Sequence, residues 1–312
     1  MATLTGASER RGAPQPTGAP GRLSTAWGLF KDAVNAWLDD YAPSMGAALA
    51  YYTIFSIAPL LLIAIAVAGL AFGMEAARGE VVAQLQGLMG DAAARAIEGM
   101  VQSADKPGSG VLSTLIGGAL LLIGATTVFG ELQDALDRIW RAPERTRHSG
   151  WWKLLRERLL SFGLILAVGF LILVSLVFSA AMAALGSWMG PAFAGWEVVA
   201  QVLNVVISFV MVTGLFALIY KVIPRVRVAW HDVWIGALVT AALFTVGKLL
   251  IGLYIGKSGV TSVFGAAGSF AVLLLWVYYS AQIFLLGAEF TWVYAHRLGS
   301  LKGQPMRPPL ER

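Results

Sequence analysis

Six stretches of this chain are apolar over the length needed to cross a bilayer, and that constrains its fold more than any other feature. Crossing the hydrocarbon takes about 20 mostly apolar residues in helical form. Positions 45–72, 111–129, 159–185, 198–223, 233–255 and 268–295 all qualify. Inside hydrocarbon every backbone N–H and C=O must be paired within the chain, so such stretches become helices. The sequence therefore predicts an all-α polytopic membrane protein, a six-transmembrane-helix bundle. Only 13% of the residues are charged, against about 25% in soluble domains. That excludes a soluble enzyme and a disordered chain. Cysteine is absent, which excludes a disulfide framework, a thiolate metal site and a Cys nucleophile. Several stretches exceed 20 residues and should tilt or bend. Pro59, near the middle of the first, cannot donate to the helical ladder and should kink it.

The flanks predict an orientation. With Lys221 counted in the loop it adjoins, 18 Lys and Arg lie on one side of the spans and 4 on the other. Cytoplasmic loops are the basic ones, so both termini are expected in the cytoplasm. The net charge of +5 reflects this asymmetry, and no nucleic-acid partner is expected. Residues 1–26 are rich in Gly, Ala, Pro, Ser and Thr and lack a signal-peptide core, which suggests a disordered cytoplasmic tail. Residues 27–296 make the membrane domain and 297–312 a second cytoplasmic tail.

Amphipathic interfacial helices are expected beside the spans. Trp27, Phe30, Val34, Trp37, Leu38 and Tyr41 recur at steps of three and four. They suit either a helix lying on the membrane or one packed on the protein's own loops. Positions 73–110 should hold one or two short amphipathic helices, weakened at Gly87 and Gly90. After the second span, Asp134 with Arg138 and Asp137 with Arg141 stand at i,i+4 and can pair along a helix. A basic run follows, with Trp151 and Trp152 inside it. It fits an anionic lipid surface or ordinary cytoplasmic charge. Trp27, Trp37, Arg138, Trp151 and Trp152 are thus candidate lipid-interface residues, and membrane lipid is the expected partner.

Polar side chains inside spans are costly and usually face the bundle interior. Tyr278, Gln282, Glu289 and His296 share one face of the sixth span; Gln201, Asn204 and Ser208 share one of the fourth. Thr245, Lys248, Gly252 and Gly256 share one of the fifth, and the two glycines predict close helix approach there. At about 1.5 Å per residue, Lys248 lies about 22 Å and Glu289 about 9 Å from the cytoplasmic ends of their spans. Two clusters are therefore expected. The outer one holds Lys248 with Gln201 and Asn204. The inner one holds Glu289 with Gln282, Glu131 and Arg138. With Tyr278 these residues are a candidate substrate pathway, or hydrogen-bonding glue between helices. Lys248, among small neighbours, is the candidate contact for an anionic substrate group.

No GxSxG, P-loop or GxGxxG is present, and His148, His231 and His296 are far apart. No catalytic residue, metal ligand set or cofactor is assigned, and a non-enzymatic role is expected.

Several stretches together resemble one family. They are Ala-Ala-Leu-Ala-Tyr-Tyr-Thr-Ile-Phe-Ser-Ile-Ala-Pro-Leu-Leu at 47–61 and Phe-Gly-Glu-Leu-Gln-Asp-Ala-Leu-Asp-Arg-Ile-Trp at 129–140. Further along stand Tyr-Lys-Val-Ile-Pro at 220–224, Gly-Ala-Leu at 236–238, Leu-Leu-Leu-Trp-Val-Tyr-Tyr at 273–279 and Gly-Ala-Glu at 287–289. This order is similar to the YihY/BrkB family, although Asn is common there where Asp137 stands. The resemblance implies a bacterial inner-membrane protein with six spans. Members carry virulence-factor and tRNA-processing ribonuclease labels, and some are suspected of moving lipid or lipopolysaccharide precursors. The expectation is a transporter or flippase of an amphipathic anionic envelope lipid. A scaffold protein of the envelope is the alternative, and a ribonuclease is the third reading.

Overall fold

The computed structural model describes residues 22–104, 127–143, 196–258 and 267–305, with positions 174, 177, 181, 182 and 184. Most of the second and third predicted spans lies outside these residues, as do Trp151, Trp152 and the basic run around them. Every regular element among the described residues is helical. In chain order these are α1 (Arg22–Asp39), α2 (Ala42–Phe72), α3 (Met74–Met89), α4 (Asp91–Ala104), α5 (127–139), α6 (Trp196–Val222), α7 (Trp230–Ser258) and α8 (Gly268–Arg297).

Among the described residues, three stretches are long and apolar enough to cross a membrane: Val198–Val222, Trp230–Ile255 and Gly268–Arg297. A fourth forms if Ala42–Ala58 and Leu60–Leu70 act as one span bent by 43°. The bend falls at Pro59, where the helix loses a backbone donor. A helix pair bent at the expected proline, as a broken span or a re-entrant loop, stands where the first span was expected.

α8 is the hub. It packs along α7, α2, α1 and α4, and α6 lies against α7. The α7–α8 contact is close because of glycine. A β-carbon on Gly236 would strike Thr291, one on Gly247 would strike Ile283, and one on Gly287 would strike Thr240 and the Tyr220 hydroxyl. The sequence placed the close approach at Gly252 and Gly256 instead. Gly252 is exposed, with open space around it. The stripe that meets α8 runs Gly236, Thr240 and Gly247, and at 100° per residue Gly252 is turned away from it. Tyr220 locks α6 into the same junction. It is fully buried, donates to the Phe284 carbonyl at 2.7 Å and lies 3.1 Å from Thr240 Oγ1.

The described part of the 73–110 segment forms two helices, each with one buried apolar face, and 105–110 lies outside the described residues. Gly87 stays inside α3, and the break comes at Gly90, whose φ of 80° suits glycine. Ala77 and Val81 from α3 and Ala93, Ile97 and Val101 from α4 are buried against Ile65 and Ala68 of α2 and Val272, Leu273 and Val277 of α8.

α1 turns a different face inward from the aromatic stripe. Leu29, Ala33 and Ala36 are buried, whereas Trp27, Leu38 and Tyr41 are exposed. The small residues let α1 lie close on α8, and an Asp32–Arg297 ion pair ties the two helices at one end. The i,i+4 pairing expected between Asp137 and Arg141 does not form. Asp137 accepts the Arg225 backbone N–H at 2.8 Å and pairs with its side chain at 3.2 Å, while Arg141 pairs with Asp40.

Candidate functional site

A charged cluster lies buried where α8, the α1–α2 turn and the end of α5 meet. Asp40 follows the last turn of α1, and its neighbour Tyr41 has φ 58°. Arg141 follows α5. Its backbone N–H bonds the Arg138 carbonyl at 3.1 Å and that of Ala142 bonds Asp137 at 2.8 Å. This is a Schellman close, whose left-handed position usually holds glycine. Here Arg141 holds it with φ 51°. A side chain in that conformation costs about 1–2 kcal/mol. The residue is thus placed for what its side chain does.

The Arg141 guanidinium donates through Nη1 to Asp40 Oδ2 and to the Arg138 carbonyl at 3.0 Å. It also stacks on Trp292, 5.0 Å from the ring centroid. Trp292 stands three residues after Glu289, so the two share a face of α8. Glu289 is completely buried; no donor reaches its carboxyl oxygens among the described residues, and the Asp40 carboxyl lies within hydrogen-bond reach of it. The charged groups acting on it are Asp40, Arg141 and Asp39. Asp40 is also completely buried, and no donor reaches its Oδ1 among the described residues. This cluster therefore holds two carboxyls against one guanidinium.

Two further buried clamps shape the same end. Gln133 donates to the Ile223 carbonyl at 3.1 Å and accepts from Arg225, so α5 grips the α6–α7 loop. Asp232, fully buried at the start of α7, accepts the backbone N–H of Ser300 at 3.1 Å and its hydroxyl at 2.5 Å.

The structure joins some of the residues expected to cluster and separates others. Gln282 and Glu289 both face the α1–α2 region: Gln282 donates to the Pro43 carbonyl at 3.4 Å and fits against Gly46. Arg138 instead stacks over Tyr41, 5.9 Å from its ring. Glu131 is half-buried on α5, where burial and the nearby Asp134 carboxylate push its carboxyl above the usual range. Tyr278 is half-buried beside the apolar cluster of α2, α3 and α4. Lys248 is half-buried, Gln201 and Asn204 are exposed, and no hydrogen bond or ion pair joins the three among the described residues. Trp27 is 69% exposed and Trp37 half-buried, so α1 keeps aromatic surface outside the bundle. Sequence reasoning missed Asp40 and Arg141. The Asp-Tyr-Ala-Pro and Trp-Arg-Ala-Pro stretches read as helix ends, and helix ends are where these two residues stand.

Comparison with known proteins adds a family profile described as virulence factor BrkB, which matches residues 33–311. A UPF0761 membrane protein of Pseudomonas paraeruginosa is 28% identical, covering 81% of this chain and 59% of the relative. One from Rhodospirillum centenum is 26% identical, covering 87% and 58%. One from Psychromonas ingrahamii is 30% identical, covering 78% and 79%. The chain spans about three fifths of the length of the first two relatives. No solved structure matches.

Proposed function

The chain belongs to the virulence factor BrkB family of integral membrane proteins, and on that premise we propose that it is a transporter or flippase of an amphipathic anionic envelope lipid. In this reading it sits in the bacterial inner membrane with six spans and both termini in the cytoplasm, and it is not an enzyme. The observation that carries the reading is the buried Asp40–Arg141–Glu289 cluster. Ionisable groups inside membrane bundles are expensive and mark pathways by default. A bundle that only had to hold together would be at least as stable with apolar residues of the same volume there. Lys248, half-buried on α7, is the proposed contact for the anionic headgroup.

A scaffold reading draws on the α6–α7–α8 junction, where Tyr220, Thr240 and three glycines interlock without any charge. The deciding experiment compares the lipid content of the two leaflets in cells with and without the protein. A fluorescent anionic lipid assayed in proteoliposomes gives the direct rate. Equal leaflet contents and no flipping would leave the scaffold reading. Reporter fusions at Gly90 and Gly150 should report opposite sides of the membrane. Purified protein should leave tRNA intact with any divalent metal, and cleavage abolished by changing one residue of this chain would reinstate the ribonuclease.

A further inference from the structure

We infer that Asp40, Glu289 and Arg141 form a binding site for one small monovalent cation. The inference goes beyond the transport reading and does not depend on it. Glu289 and Asp40 are completely buried and within hydrogen-bond reach of each other, and no donor reaches three of their four carboxyl oxygens among the described residues. The groups that face Glu289 are Asp40 in the α1–α2 turn, Asp39 at the end of α1, and Arg141 after α5. α7, packed along α8, brings uncharged Thr240 and Gly236 to the neighbouring Gly287 and Thr291. Asp39 is exposed to solvent. The buried set is therefore two carboxyls and one guanidinium.

A carboxylate taken out of water without a compensating charge or donor is strongly unfavourable. Arg141 satisfies one oxygen of Asp40 and is held there by its Arg138 and Trp292 contacts, so one guanidinium is shared between two buried carboxyls. One more positive charge neutralises the set and gives the open oxygens a partner. Complete burial keeps the occupant small. A proton shared between the two carboxyls and a sodium ion held by their open oxygens supply the same charge. A divalent ion fits less well, because it would leave two carboxylates and one guanidinium with an excess positive charge in a buried site.

The test uses the full chain in lipid nanodiscs. Tm is recorded as sodium replaces choline at constant ionic strength, and separately as the pH is lowered in choline. A saturable rise with sodium identifies the metal ion. A rise on acidification, with sodium inert, identifies the proton. Glu289→Gln keeps the shape and removes the charge, and it should lose whichever response the natural protein shows. Asp40→Asn should lose it as well. If both variants fail to fold, infrared spectra of the natural protein decide. A protonated-carboxyl band that moves in heavy water, or a carboxylate band that moves with sodium, supports the site. Equal Tm responses in protein and variants, or a spectrum with neither band, overturn it. No arm reads lipid movement, so this inference and the transport reading fail separately.

Discussion

At one end of α8, Val272, Leu273 and Val277 pack against Ile65, Ala77, Val81, Ile97 and Val101, and no charged residue is buried there among the described residues. At the other end, Leu285, Ala288, Trp292 and Val293 share the interior with Asp40, Arg141 and Glu289. The apolar end is made by a kinked helix and a short helical hairpin. α3 and α4 have 16 and 14 residues, too short to cross hydrocarbon. It needs matching volume and little else. The charged end is assembled from helix ends and turns, two of them in left-handed backbone conformations at Tyr41 and Arg141. Strain of this kind persists only where the surroundings hold it, and it gathers at functional positions. The contrast sets the proposed cation site at the charged end and plain apolar packing at the other.

The strongest way to break that contrast is Arg141→Met, which leaves two buried carboxyls without their cation. Removing one partner of a buried pair costs about 3–5 kcal/mol. Thermal or denaturant unfolding in detergent measures it, and a neutral result would make the two ends equivalent. Replacing all three groups with apolar residues should recover most of the loss. Gly236→Val tests the junction between the two ends by driving a side chain into Thr291. Overpacking there should cost about 1–3 kcal/mol. At the apolar end Ile97→Val should cost only about 0.5–1.5 kcal/mol and leave lipid movement unchanged. A functional loss with little unfolding would move the working site to that end. Lys248→Met should lose no stability, since no partner is forfeited among the described residues. It should nevertheless abolish lipid transport, with Lys248→Arg retaining part. Full activity in Lys248→Met removes this residue from the pathway.

Much of the architecture was legible in the sequence because it is local. The apolar runs at 198–223, 233–255 and 268–295 became α6, α7 and α8, Pro59 marked the bend, and Gly90 marked a break. The α8 stripe placed Glu289 and Gln282 on one face, and the structure turns both toward the α1–α2 region. The inner cluster was half legible. Glu289 was expected to meet Arg138 and Glu131, yet its neighbours are Arg141 and Asp40. Periodicity gives the faces of one helix and says nothing about which distant turn covers them.

By itself, then, the sequence determined that this chain is helical and membrane-embedded, because hydrocarbon allows an apolar backbone run no other way to pair its own amides. It also determined where α2 bends and where α3 ends, because proline lacks an N–H and glycine lacks a Cβ. Only the tertiary structure decided that Gly236, Gly247 and Gly287 carry the close packing while Gly252 stands open. It alone brought Arg141 to Asp40, 101 positions apart in the chain, and set both beside Glu289. Such pairings depend on how each helix is rotated against its neighbours. That rotation comes from packing summed over every contact, which no single segment encodes.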